Sequence, residues 1–266
     1  MNKTVLGFIG ATLLITGCGG PSRDLVPVAK RMDAAVNAHD ANAFAGFLTD
    51  DVVLKAPDGA LHRGKDSARA WISGIIPGFH VESMGWQQSG DTVMWMSTVR
   101  SDAFEQMGAN PIRTNTMGVF RGEKLAYFAA SLDNETQGKM MFLQFYAEVI
   151  NGKNTDAIDK FLSPEMVEHE ILPPGIPKGR DGVKALFKML QVAFPDLHGT
   201  PVVVMADGDK VLITATWEGT NKGKFMGKPA SNKKYSWTVA DLIRLADGKA
   251  VEHWGWDDMA ERMGNF

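Results

Sequence analysis

The sequence predicts an α+β fold made of two tandem copies of one unit, and three observations predict it. The length of 266 residues exceeds one ordinary domain. Landmarks of the first half return in the same order in the second. In each half, segments with helical apolar spacing come first and long strand-like runs follow, as in α+β domains. Hydrophobic residues at 44% and charged residues at 22% are ordinary globular values, which excludes disordered and fibrous classes. With a net charge of -3 and no basic run, nucleic acid is not an expected partner.

The amino terminus stands apart from the fold. Lys3 precedes an apolar stretch from Val5 to Ile15 that is too short to span a bilayer. It closes with Leu14-Ile15-Thr16-Gly17-Cys18, which resembles the lipobox cut before a cysteine that is then acylated. Cys18 is the only cysteine of the chain, so it has no disulfide partner within it and sits where a lipidated residue belongs. Residues 1–17 are therefore expected to be a lipoprotein signal peptide. Residues 18–24 then form a tether begun by Gly19 and Gly20, and the protein is expected to be exported and lipid-anchored at the cell envelope, facing the periplasm.

The first unit is expected over residues 25–135 and the second over 136–266, with the polar stretch from Asp133 to Gly138 as linker. Val26 to Asn37 and Phe142 to Ile150 carry the opening helices. Phe47 returns as Phe161, Gly64 as Gly179, Gly90 as Gly208 and Lys124 as Lys249. The spacing grows only from 114 to 125 residues, which places small insertions in loops. The last two strands form a hairpin around Ala246-Asp247-Gly248. A sheet curved over helices encloses a pocket, and such concavities bind small ligands.

Gly223 to Pro229, the strand ending Asp241 to Lys249, and Val251-Glu252-His253-Trp254 together resemble the signature of SnoaL-like polyketide cyclases, of the nuclear transport factor 2-like superfamily. Val167-Glu168-His169 and Pro177 to Gly182 match the same family upstream. The resemblance covers residues 140–266, while residues 24–135 share its layout only. It implies two cone-shaped domains, each with N-terminal helices packed on a strongly curved, mostly antiparallel sheet. It also implies cofactor-free acid–base chemistry on a small organic ligand, as in an aldol ring closure. Asp258 matches a family position outside the role of the catalytic acid, and the resemblance implies a ligand contact there. The acid that the family places directly after His-Trp is here Gly255. Relatives commonly dimerise through the outer faces of their sheets, so the two domains are expected to form an intramolecular pseudo-dimer across Trp254 and Trp256.

Alternation along strands puts Trp237, Val239, Asp241 and Ile243 on one face, and Val251, His253 and Gly255 on one face of the next strand. A three-residue loop sets Asp241 opposite His253, whereas a two-residue turn sets it opposite Trp254. We favour the first, because it collects an apolar face that carries Asp241 and His253 as its polar pair. A buried carboxylate beside an imidazole suits proton transfer, and a purely structural buried pair is the alternative. His169 is expected at the cavity mouth as a helper of catalysis, or else as a solvated loop histidine. Trp217 and Trp237, with Val239, line the pocket or belong to the core. No metal-binding spacing, phosphate loop or nucleophile elbow is present, so no metal and no cofactor are expected. In the first unit Phe128 replaces His253 and Lys55 replaces His169, which predicts a degenerate pocket there. Two functions stay open: an enzyme of cyclase or isomerase type acting on a small, mostly apolar carbonyl compound, and a ligand-binding or interaction lipoprotein without turnover.

Overall fold

The structure is a computed structural model and describes residues 23–173 and 175–264. The predicted signal peptide, Cys18 and most of the tether lie outside the described residues. No helix among the described residues is long and apolar enough to cross a membrane.

Helix α1 (Val26–Asn37) carries Pro27 in its first turn, where a fixed φ is suited, and it buries Val28, Ala29, Met32 and Ala35 on one stripe. Asp40 caps α2 (Ala41–Gly46) by accepting from the Ala43 amide at 2.8 Å. Strands β1 (Leu48–Lys55) and β2 (Leu61–Arg63) precede α3 (Lys65–Ile75). A meander of β3 (His80–Ser89), β4 (Thr92–Arg100), β5 (Ile112–Arg121) and β6 (Lys124–Leu132) follows, with the short α4 (Asp102–Gln106) between β4 and β5.

The second unit repeats this plan. Helix α5 (Asn134–Phe145) runs into a π-helical turn, Tyr146–Asn151, and then come α6 (Ile158–Phe161), β7 (Leu162–Glu168) and α7 (Gly179–Ala193). Strands β8 (His198–Asp207), β9 (Lys210–Thr220), β10 (Lys234–Ala246) and β11 (Lys249–Asp257) complete it, with α8 (Met259–Arg262) at the end.

The strand orders are β2-β1-β6-β5-β4-β3 and β7-β11-β10-β9-β8, so each sheet is one meander with a parallel strand added beside its last member. One detail repeats atom for atom. The Asn37 side chain exchanges two hydrogen bonds with the Val81 backbone, both 2.8 Å, and Asn151 does the same with Gly199 at 2.8 and 2.9 Å. Each pair ties the end of an opening helical segment to the first meander strand.

Two expectations are corrected here. The polar stretch from Asp133 to Gly138 is not a loop: Asp133 accepts from the Thr136 amide at 2.8 Å and the chain is already helical at Asn134. Helix α5 is the junction between the units. Its Met140 and Leu143 pack against Val99, Ala109 and Ile112 of the first, while Phe142 and Phe145 enter the core of the second. The two tryptophans expected to share an outer face are also placed differently, since Trp256 is 57% exposed and borders the second-domain cavity while Trp254 stacks on His169 with ring centroids 4.4 Å apart.

Candidate active site

The β10–β11 hairpin fixes the polar residues of the second domain. Asp247 and Gly248 both have positive φ (50° and 73°) and Ala246 pairs with Lys249, so the turn has two residues and not the expected three. The register then shifts between Arg244 and Leu245, where Val251 is an extra residue on β11. Beyond this bulge Ile243 faces His253 and Asp241 faces Gly255. Asp241 and His253 thus become diagonal neighbours on one face. The expectation that Asp241 lies directly opposite His253 is therefore corrected, although the two still share a face.

Both side chains point into a cavity of about 300 Å³. Its walls are largely apolar, with Phe142, Phe145, Phe187, Trp217, Trp237 and Val239 among them. Its polar end is a chain of hydrogen bonds. The Trp217 indole N–H donates to the Tyr146 hydroxyl at 3.1 Å, and that hydroxyl donates to Asp241 Oδ2 at 3.3 Å. His253 Nε2 lies 3.3 Å from Asp241 Oδ1, and its Nδ1 lies 2.7 Å from Glu168 Oε2. Tyr146 opens the π-helical turn, a distortion frequent at functional sites.

Burial alone lowers the basicity of His253. The hydrogen bonds and negative charges of Asp241 and Glu168 outweigh it and push the ring up to about 10, so it is a cation at neutral pH. Burial, helped by the Asp241 charge, pushes the Tyr146 hydroxyl far above its ordinary range, so it stays a donor.

Glu170, absent from our sequence-based candidates, completes the group. A side chain built on Gly255 meets Glu170 Oε2 at 2.5 Å and His253 Cε1 at 3.0 Å from its Cβ. The Glu170 carboxylate therefore fills the space next to position 255, opposite Asp241. Burial first, and the neighbouring carboxylates after it, raise its pKa, with the His253 cation opposing. Its side chain accepts no hydrogen bond from the described residues, unlike Glu168 and Asp241. Glu170 lies two residues beyond the end of β7, in a loop, where no periodicity of the sequence marks it.

Two expected site residues lie elsewhere. His169 is held outside the cavity by Trp254, on which it stacks, and by Glu252, whose Oε2 is 3.0 Å from its Nε2. Asp258 accepts from the Thr238 amide at 2.6 Å and pairs with Arg262, so it secures the chain end after β11 and does not line the cavity. Trp217, Trp237 and Val239 do line it. Glu168, Glu170 and His253 each offer one ligand atom within 4.8 Å of the others, so donors for a divalent cation converge here.

The sequence profile of the SnoaL-like polyketide cyclases matches residues 140–264, and that of the SnoaL-like domain matches residues 29–124. Nogalonic acid methyl ester cyclase of Streptomyces nogalater is 25% identical over 109 residues, which covers 41% of this chain and 81% of the relative. An aklanonic acid methyl ester cyclase of Streptomyces peucetius is 28% identical over 117 residues, covering 42% and 78%. Among solved structures, the putative polyketide cyclase IdmH of Streptomyces antibioticus is 27% identical with a TM-score of 0.42, covering 48% of this chain and 96% of that one. A SnoaL-like polyketide cyclase from Jannaschia is 25% identical with a TM-score of 0.44, covering 48% and 90%.

Proposed function

The chain belongs to the SnoaL-like family of the nuclear transport factor 2-like superfamily, with two tandem domains of which the first is divergent, and from this premise we propose that the second domain is a proton-transfer enzyme of cyclase or isomerase type. Its substrate class is a small, mostly apolar carbonyl compound, matched to a cavity whose walls are aromatic and aliphatic. The carrying observation is the position of Glu170, whose carboxylate occupies the space beside Gly255 that a side chain there would otherwise take.

In this reading Glu170 is the catalytic base. It removes a proton from the carbon next to the carbonyl, and the His253 cation, held by Glu168 and Asp241, stabilises the negative charge that develops on the enolate oxygen. In a ring closure the enolate carbon then attacks a second carbonyl of the same molecule, and the protonated Glu170 returns its proton to the new alkoxide. In an isomerisation the proton returns to another carbon. Either way the carboxyl ends as it began. Asp241, expected from the sequence to be the base, becomes the positioning residue of His253, because both its oxygens already accept hydrogen bonds. A raised carboxyl is the better base near neutrality, which favours Glu170 for the same role.

The test uses nogalonic acid methyl ester and aklanonic acid methyl ester as first substrates. Glu170→Gln should lower turnover about a hundredfold or more with little loss of ligand affinity. Binding of both esters without turnover in the wild-type chain, or an unaffected Glu170→Gln variant, supports the ligand-binding alternative and sinks the enzyme.

We also propose that the protein works at the cell envelope, anchored through Cys18. Support comes from Lys3, the apolar run and the lipobox-like Leu14 to Cys18. Cys18→Ser should move the protein from the membrane fraction to the soluble one. Retention at the membrane, with no acyl mass on the wild type, counts against the anchor.

A further inference from the structure

The first domain carries a cavity of about 480 Å³, with Phe128 standing where the second domain has His253. What it has lost is the ionisable set of the second domain, and what it has gained lies elsewhere. Asp33 of α1 reaches the cavity, with Ser97 of β4 and Thr114 and Thr116 of β5 beside it. The three hydroxyl residues are buried, at 6%, 5% and 6% exposure. Ser83 bonds the Asp33 carboxyl and lies 2.9 Å from the Ser97 hydroxyl, and the Thr114 and Thr116 hydroxyls are 3.2 Å apart.

Register assigns the counterparts. Since Thr116 pairs with Ala130 as Asp241 pairs with Gly255, Ser97 and Thr114 correspond to Ala215 and Val239. Val239, an apolar lining position of the second cavity, is thus Thr114 in the first, and the buried Ala215 is Ser97. A carboxylate turned into an apolar cavity is costly unless something uses it. No Lys, Arg or His lines the cavity among the described residues, so an anionic ligand has no counter-charge there.

We propose that this cavity is a second ligand site, taking a compact, mostly apolar molecule that carries a hydroxyl group and donates it to Asp33. Burial pushes the Asp33 carboxyl up to about 6, so above that pH it is a carboxylate with one donor, Ser83, and room to accept from another. Met140 and Gln144 of α5 form part of the wall, so the intact chain is the form to test.

The probe is 1-naphthol, with naphthalene as the comparison that lacks the hydroxyl, measured by titration calorimetry. Val239→Phe fills the cavity of the second domain and isolates binding to the first. In that background 1-naphthol should bind with one equivalent. Asp33→Leu should weaken 1-naphthol about tenfold without weakening naphthalene, the loss expected for one hydrogen bond to a charged acceptor. Thr116→Phe, which fills the first cavity and leaves Asp33 in place, should abolish this binding while thermal unfolding stays cooperative. It also serves if Asp33→Leu fails to fold. The proposal is overturned if 1-naphthol does not bind in the Val239→Phe background, if Asp33→Leu weakens both probes equally, or if Thr116→Phe leaves binding intact. None of these outcomes depends on Glu170 or His253, so failure here leaves the reading of the second domain standing.

Discussion

The two cavities are built on the same strand order, yet their matching positions have opposite chemistry. Parallel pairing sets Leu54 against Phe128 in the first domain and Glu168 against His253 in the second. Two residues on, Ala56 stands where Glu170 does, and Thr116 stands where Asp241 does. One wall is therefore an apolar packing contact in one domain and an acid–base centre in the other. In the first domain the polar groups have moved to the face made by α1, β4 and β5. The scaffold tolerates either arrangement because both walls are closed by the same backbone pairing, which leaves the inward side chains free to differ.

The largest effect that can break this comparison is a transplant of the base. A Glu170→Ser chain should lose turnover by two or more powers of ten, and adding Gly255→Asp should recover at least tenfold of it, because the new carboxylate occupies the same volume. A double variant as inactive as Glu170→Ser means that the loop carboxylate does not stand in for one at position 255.

A smaller effect concerns stability. Glu168→Leu removes one partner of a pair whose side chains are 7% and 20% exposed and should cost about 3 kcal/mol in denaturant unfolding. Glu168→Leu with His253→Phe recreates the Leu54–Phe128 contact and should cost less than the single change. A double change costing the sum of both singles removes the analogy between the walls.

The pH dependence of stability should separate the domains. The folded pKa of His253 lies above its unfolded value of 6.5, so its contribution is fully present below about 6.5 and is lost as pH rises through about 10. Asp33 is also raised, from 3.8 to about 6, so its contribution is present below 3.8 and lost as pH rises through about 6. Subtracting the profile of Asp33→Asn from that of the wild type should show a slope only in the acid window, and that of His253→Phe only in the alkaline one. Slopes in the opposite windows contradict the assignment.

The smallest effect is expected at His169, which stacks on Trp254 outside the cavity and pairs with Glu252 at the surface. His169→Ala should change turnover less than about threefold, and stability by less than about 1 kcal/mol, as for an exposed pair. A loss of a hundredfold returns His169 to the catalytic set.

Part of the site was legible before any coordinates. Asp241 and His253 share a face because alternation is a local property, and Trp217, Trp237 and Val239 follow from the same rule. Glu170 was not legible, since its role depends on a loop residue reaching the gap left by a glycine on another strand. His169 follows from its place after the second helix, at the expected cavity mouth, but only the packing of Trp254 and Glu252 shows that it stays at the surface.

The sequence by itself determined the two tandem units, the order of helices before a meander and the faces of the strands, because repeats and periodicities are carried by neighbouring residues. Only the tertiary structure decided the hairpin register, where a two-residue turn and one extra residue at Val251 combine to bring Asp241 opposite Gly255. It also decided that α5 serves both domains and that the first cavity is open. These depend on how distant segments fill common space, and packing of that kind has no period for a sequence to display.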